Sequence, residues 1–287
     1  MKRGPITPKG FRDIRPDLAK KRREAVNKIA DTLEANGFVP LETPIIEFAE
    51  TLVGKYGEEE KLIYQFTDRG GRKLALRYDL TVPLARYIAN YNPTLPFRRY
   101  QIGQVFRGEN PQRGRYREFT QFDFDVVGSS DASEDAKIIG AAIQAVKKLG
   151  LAKAQMAIND RENFRGVPVK DVREIDKIHK VGREKTRKEL LEIVDNLKPT
   201  ENLKNIFAIL KAKYNFKENQ DFFFDPTLAR GLDYYTGAVF ELKPNGKPEE
   251  LSIGGGGRYD NLIGVFANKQ IPAVGFAFGL DRLAEIL

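Results

Sequence analysis

The chain has 287 residues, 41% of them hydrophobic and 31% charged, enough to bury a core in one large domain or two modest ones. Cysteine is absent, which excludes disulfides and thiolate metal sites and leads us to expect a cytoplasmic setting. Lys and Arg number 48 against 40 Asp and Glu, and the resulting +8 favours a polyanionic partner such as a nucleotide or nucleic acid. No apolar run reaches the ~18 residues of a membrane span, and MKRGPITPKGFRD has no apolar stretch behind its basic residues, so it does not read as a secretory leader.

In chain order, DLAKKRREAVNKIADTLEANGF carries apolar residues at helical spacing and Gly37 to stop them. FVPLETPIIE is extended and broken by Pro40 and Pro44, as suits an edge strand or a strand at an interface. Residues 60–69 and 73–78 read as a hairpin joined through DRGGR. LTVPLARYIANY reads as a helix with Pro83 near its start, where a missing N–H is harmless. Two long strands follow, FRRYQIGQVFRGE and REFTQFDFDVVG, joined by the basic loop NPQRGRY. DASEDAKIIGAAIQAVKKLG is an amphipathic helix opened by Asp131 or Ser133 and closed by Gly150.

Residues 160–220 are lysine-rich and helical without a strand signal, and are expected to form a small insertion; its single histidine, His179, is read as part of a solvated helix face. β-Character returns in DFFFDPTLARGLDYYTGAVFELK, ELSIGGGGRYDNLIGVF and IPAVGFAFGLDRLAEIL. The whole predicts an α+β architecture, an antiparallel sheet flanked by helices and interrupted by a helical module. The expected divisions are 1–158, the insertion 159–221, and 222–287.

Neither a P-loop nor a G-x-G-x-x-G between strand and helix occurs, so GGGG at 254–257 is no dinucleotide fingerprint. It is either a bulge or tight turn, or bare backbone that something flat can approach. Arg107 and Glu109 end one strand, and Arg115 and Arg117 begin the next. Arginine suits phosphate, because its planar fork offers two donors and stays charged. Gln121, Asp123 and Asp125 share one strand face, where acids are costly to bury without cationic partners. Arg282 lies in the first turn of the last helix, placed to hold a terminal phosphate. In ARGLDYYTGAVFEL, Arg230, Asp233, Tyr234 and Tyr235 crowd the mouth of a strand beside Gly231 and Gly237.

GFVPLETPIIE, FRGENPQRGRYREFTQFDFDVVG and AVGFAFGLDRL resemble motifs 1, 2 and 3 of class II aminoacyl-tRNA synthetases. Within that class PKGFRD, LRYDLTVPLARY, RGLDYYTG and GGGGRYD resemble the histidyl-tRNA synthetase family, from residue 8 to 285. The resemblance implies a catalytic core without the C-terminal anticodon-binding domain, which activates L-histidine with ATP and transfers it to tRNA(His). It assigns Arg107, Glu109, Arg115, Phe119 and Arg282 to ATP, with Arg107 at the α-phosphate, Glu109 and Phe119 at adenine and Arg282 at the γ-phosphate. Histidine falls to Asp79, Thr81, Gln121, Asp125, Arg230, Tyr234, Tyr235 and Tyr259, and Arg230 joins Arg107 as catalytic across the reacting phosphate. Mg²⁺ is implied with the ATP, its ligands unspecified, and a homodimer through the motif 1 region. A paralogue with the same fold, the histidine-sensing regulatory subunit of ATP phosphoribosyltransferase, is the alternative; retention of Arg107, Arg230 and Arg282 favours the enzyme. Asp233 is expected to be a structural partner for a nearby arginine.

Overall fold

The computed structural model describes residues 6–112, 114–230 and 234–287. The elements run α1 (Pro16–Ala35), β1 (Val39–Pro40), β2 (Ile46–Phe48), α2 (Ala49–Leu52), β3 (Gln65–Thr67), β4 (Lys73–Leu76), α3 (Thr81–Tyr91), β5 (Phe97–Phe106), β6 (Glu118–Val127) and α4 (Ala132–Lys148). They continue with β7 (Gln155–Asp160), α5 (Val169–Ile175), α6 (Ile178–Val181), α7 (Lys188–Asn196), α8 (Glu201–Tyr214), β8 (Phe222–Phe224), β9 (Ala238–Lys243), β10 (Gly254–Arg258), β11 (Ala273–Gly279) and α9 (Leu280–Ile286).

Among the described residues the strands form an eight-stranded sheet in the order β1-β5-β6-β11-β10-β9-β7-β8 and a three-stranded one, β2-β4-β3. Pairing in the large sheet is antiparallel except at its ends, where β1 runs parallel to β5 and β8 parallel to β7. The architecture is the helix-flanked, mainly antiparallel sheet expected from the sequence.

Period-two alternation divides β6 between two environments. Phe122, Phe124 and Val126 enter a core closed by Ile29 and Leu33 of α1, Ile139 and Ile143 of α4, and Leu283 of α9. Each such side chain contributes about 1.5–3 kcal/mol by leaving water. The residues between them face the opposite side, where the sheet is left uncovered to form a cavity.

Helix α4 begins as its sequence predicts: Asp131 accepts the N–H of Ser133 at 2.7 Å and satisfies one of the free donors of the first turn. Two stretches differ from the sequence reading. Residues 155–160 form β7 inside the large sheet, and α8, grouped by composition with the insertion, buries Leu203, Ile206, Phe207 and Leu210 in the same core as α4. The rest of the insertion has a core of its own, built from Phe164, Val172, Ile175, Ile178, Leu190 and Val194. Lysine content marks a solvated outer face and is silent on which core the inner face joins.

Candidate active site

The uncovered sheet face opens into a cavity of about 680 Å³. Strand register explains why space exists there. On β11 the neighbours of Gln121, Asp123 and Asp125 are Gly279, Ala277 and Gly275, while the intervening Phe276 and Phe278 point into the core. A Cβ on Gly275 would collide with the Asp125 carboxylate. The alternation in AVGFAFG therefore serves two faces, large residues for packing and small ones for the cavity.

GGGG proves to be neither a bulge nor a turn. Gly254–Gly257 pair regularly with both β9 and β11 in the middle of the sheet. Glycine is a poor strand former, but here the space beside the backbone is already filled. A Cβ on Gly255 would meet the Arg230 guanidinium, and one on Gly257 would sit 2.7 Å from the Tyr235 ring. The flat groups that approach this backbone are the chain's own side chains.

One end of the cavity is acidic. Asp79 accepts the Tyr56 hydroxyl at 3.0 Å and the N–H groups of Thr81 and Val82 at 3.1 and 3.0 Å, all through Oδ1, which caps the start of α3. Asp79 Oδ2, Gln121 Oε1 and Asp123 Oδ1 are buried without hydrogen-bond partners among the described residues. Asp125 takes the Tyr259 hydroxyl at 2.5 Å and lies 2.7 Å from Nη2 of Arg99, an arginine with no exposed surface. Burial raises the pKa of Asp79, Asp123 and Asp125 above the ordinary carboxylate range; at Asp125 the Arg99 charge works against that rise, and at Asp123 the rise is large. Tyr234 and Tyr235 pack with ring centroids 4.9 Å apart, and Tyr234 meets Tyr259 edge-on at 6.0 Å.

The other end is cationic. The Arg107 guanidinium lies 4.2 Å from the Tyr78 ring and 5.1 Å from the Phe119 ring, and its Nε donates to the Tyr78 carbonyl at 3.2 Å. Arg282 donates to the carbonyls of Gly114 and Ser252 at 3.0 and 3.1 Å. Burial lowers the Arg282 pKa, and the charges of Arg115 and Arg107 lower it further, so the cations repel one another across this end. Arg115 stands 3.6 Å from Glu109. Arg230 donates to Glu241 at 2.9 Å; burial opposes its charge, but Tyr235 and Glu241 outweigh that and hold it firmly protonated.

The cavity gathers each of the sequence-predicted residues Asp79, Thr81, Arg107, Glu109, Arg115, Phe119, Gln121, Asp125, Arg230, Tyr234, Tyr235, Tyr259 and Arg282 along its lining. Gly231 and Asp233 lie outside the described residues. His179 is exposed, as expected of a solvated helix face, but it also belongs to the cavity wall. Its side chain is 32% exposed, lines the cavity, and places Nε2 2.7 Å from Thr227 Oγ1 and 3.4 Å from Asp225.

Three residues of the site have no role assigned from the sequence. Spacing sets Asp123 on the face of Gln121 and Asp125, and it lines the cavity with them. Glu241, held between Arg230 and Lys243, is one of two charged residues in the strand AVFELK. Arg99 gave no local signal, because only the pairing of β5 with β6 sets it beside Asp125.

Comparison with known proteins agrees along the whole chain. The family profile described as histidyl-tRNA synthetase matches residues 10–219 and 176–283. A histidine–tRNA ligase of Aeropyrum pernix is 39% identical over 98% of this chain and 74% of its own length. The solved histidyl-tRNA synthetase of Nostoc sp. PCC 7120 superposes with a TM-score of 0.83 at 28% identity, covering 100% of this chain and 76% of that one. A structure titled as an ATP phosphoribosyltransferase regulatory subunit/histidyl-tRNA synthetase from Bacillus halodurans shares the fold, with a TM-score of 0.77 at 24% identity over 98% of this chain and 83% of that one.

Proposed function

The chain belongs to the histidyl-tRNA synthetase family, and on that premise we propose how its cavity acts as a histidine–tRNA ligase, joining L-histidine to ATP and then to tRNA(His). The observation that carries the reading is one cavity with acceptor oxygens that lack partners among the described residues at one end and Arg107, Arg115, Arg230 and Arg282 gathered at the other. Histidine offers an ammonium group and ring N–H donors to the first; a triphosphate offers negative charge to the second.

Asp79, Thr81 and Gln121 take the amino and carboxylate region of histidine, and Asp125 with Tyr235 the imidazole. Tyr234 and Tyr259 close the space around it. Arg107 and Arg115 meet the phosphates nearest the reaction and Arg282 the far one, with Glu109 and Phe119 at the adenine. As the histidine carboxylate attacks the α-phosphorus, the bond to pyrophosphate breaks and charge builds on the phosphoryl oxygens. Arg107 and Arg230 oppose that charge from two sides. No side chain need act as nucleophile; orientation and electrostatics supply the acceleration. Mg²⁺ would enter as part of the nucleotide substrate, neutralising phosphate charge, with its shell completed by water and cavity carboxylates.

The exposed apolar residues Val39, Ile45, Ile46, Phe48 and Phe66 on and beside β1, β2 and β3 suit a homodimer contact. The setting is cytoplasmic on this reading, and among the described residues no helix is long and apolar enough to cross a membrane. Binding of tRNA(His) through basic side chains should weaken steeply with salt.

The test is histidine-dependent exchange of pyrophosphate into ATP, with other amino acids as controls. Exchange with histidine alone is expected. Histidine binding without exchange would replace this reading with that of a histidine-sensing regulatory subunit, against which the arginines Arg107, Arg115, Arg230 and Arg282, all along the cavity among the described residues, now stand.

A further inference from the structure

The cavity lining reaches the helical insertion at Asp176, His179 and Lys180, beside the segment that carries Arg230. That segment is held in an unusual way. Arg230 has φ +55°, the left-handed region that a non-glycine residue seldom adopts unless its surroundings impose it. The surroundings here are side chains. Asp176, at the end of α5, accepts through one oxygen the N–H groups of both Ala229 and Arg230 at 3.1 Å. Arg161, just after β7, donates through one nitrogen to the carbonyls of Ala229 and Arg230 at 3.2 and 3.3 Å. Ala229 itself is buried in the insertion's apolar core with Val172, Ile175 and Ile178, and His179 meets Thr227 from the same side.

We propose that Asp176, with Arg161 opposite it, is a positioning residue that sets the backbone of Arg230 and so aims its guanidinium for adenylate formation; this rests on the ligase reading above. An ordinary loop anchor would leave the reaction alone once the protein had folded. What is anchored here is the residue whose guanidinium lies over Gly255 and against Glu241 inside the cavity. A backbone freed from the left-handed region swings that side chain out of line, and a misplacement of about 1 Å at a reacting centre is enough to cost on the order of a hundredfold in rate. The insertion thereby takes part in amino-acid activation.

The experiment measures pyrophosphate exchange, histidine affinity and thermal unfolding for the unsubstituted chain, Asp176→Ala, Asp176→Asn, Arg230→Ala and the Asp176→Ala/Arg230→Ala pair. For Asp176→Ala the exchange kcat should fall at least about tenfold, with histidine affinity unchanged within about twofold. Asp176→Asn, which keeps an acceptor oxygen, should recover most of that loss. The double variant should be no slower than Arg230→Ala, because a residue that works through another adds nothing once the other is gone. A full multiplicative loss in the double variant, or an unchanged kcat in Asp176→Ala, would overturn the proposal. Should Asp176→Ala fail to fold, Arg161→Ala carries the same expectations and the same refutation. Absence of exchange in the unsubstituted chain would instead remove the ligase reading, an outcome distinct from failure of the clamp.

Discussion

The two ends of the cavity are built by different means. At the acidic end the functional groups stand on a central strand, and Asp125 is fixed by other side chains, Arg99 below it and Tyr259 beside it. At the cationic end Arg107 and Arg282 hang from backbone carbonyls of Tyr78, Gly114 and Ser252, one of them in the loop between β5 and β6. A group locked by buried charge cannot yield without cost, whereas a guanidinium on a carbonyl can exchange that partner for a phosphate oxygen. The acidic end is therefore a rigid template suited to one small ligand, while at the cationic end Arg107 and Arg282 can adapt as phosphates arrive and leave and Arg230 stays paired with Glu241.

The sharpest way to break this contrast is at Asp125. Replacing it with Asn leaves Arg99 buried without its counter-ion, and removal of one member of a buried pair typically costs 3–5 kcal/mol, so roughly that loss of stability is expected by urea unfolding. Histidine affinity should fall with it while ATP affinity holds. Arg107→Ala should do the reverse. Its loss should lower exchange kcat roughly 10²–10³-fold, as removal of a transition-state donor does, and cost less unfolding free energy than Asp125→Asn, because no buried counter-ion is left behind. Arg282→Ala is milder, since a contact to a terminal phosphate acts equally in ground and transition states. The KM for ATP should rise roughly tenfold with kcat unchanged. A histidine affinity altered by Arg282→Ala would show that the two ends are not independent.

The two ends also differed in how much of them the sequence disclosed. Period-two spacing put Gln121, Asp123 and Asp125 on one face, and that face does line the cavity, because alternation on a strand is a local property. The arginines stood out by kind and by the family resemblance. What stayed hidden depends on pairings distant in the chain. Arg99 meets Asp125 only through strand register, and Asp281, which accepts Thr120 N–H at 2.7 Å and Arg22 at 2.6 Å, joins parts of the chain 161 and 259 positions apart. GGGG reads equally as a turn or as bare backbone, because glycine breaks strands in isolation; the groups that fill its missing side chains, Arg230 and Tyr235, come from the segment that leads into β9. Strand β7 was missed in LAKAQMAIND, where a short apolar run without β-branched enrichment offers little signal.

The smallest expected effect separates two carboxylates on the same strand. Asp123 is as buried as Asp125 but has no arginine within ion-pair distance among the described residues, and one of its oxygens has no partner. Its pKa is raised well above the ordinary value by burial, and the charges of Asp125 and Asp79 add to the rise while that of Arg99 opposes it. A carboxyl whose folded pKa exceeds its unfolded one holds more protons folded than unfolded between those two values, so stability declines as pH rises through that window and the full penalty is present above it. Asp123→Asn removes the charge. Without ligand it should stabilise the chain at neutral pH by on the order of 1 kcal/mol, read as a melting point about 2–4 °C higher. That advantage should shrink on acidification and vanish below about pH 4, where Asp123 is protonated in both states. Asp125→Asn, two residues away, should shift the melting point in the opposite direction. If both substitutions moved it the same way, the Arg99 pairing would not be what distinguishes them, and the rigid-template account of the acidic end would fail with it.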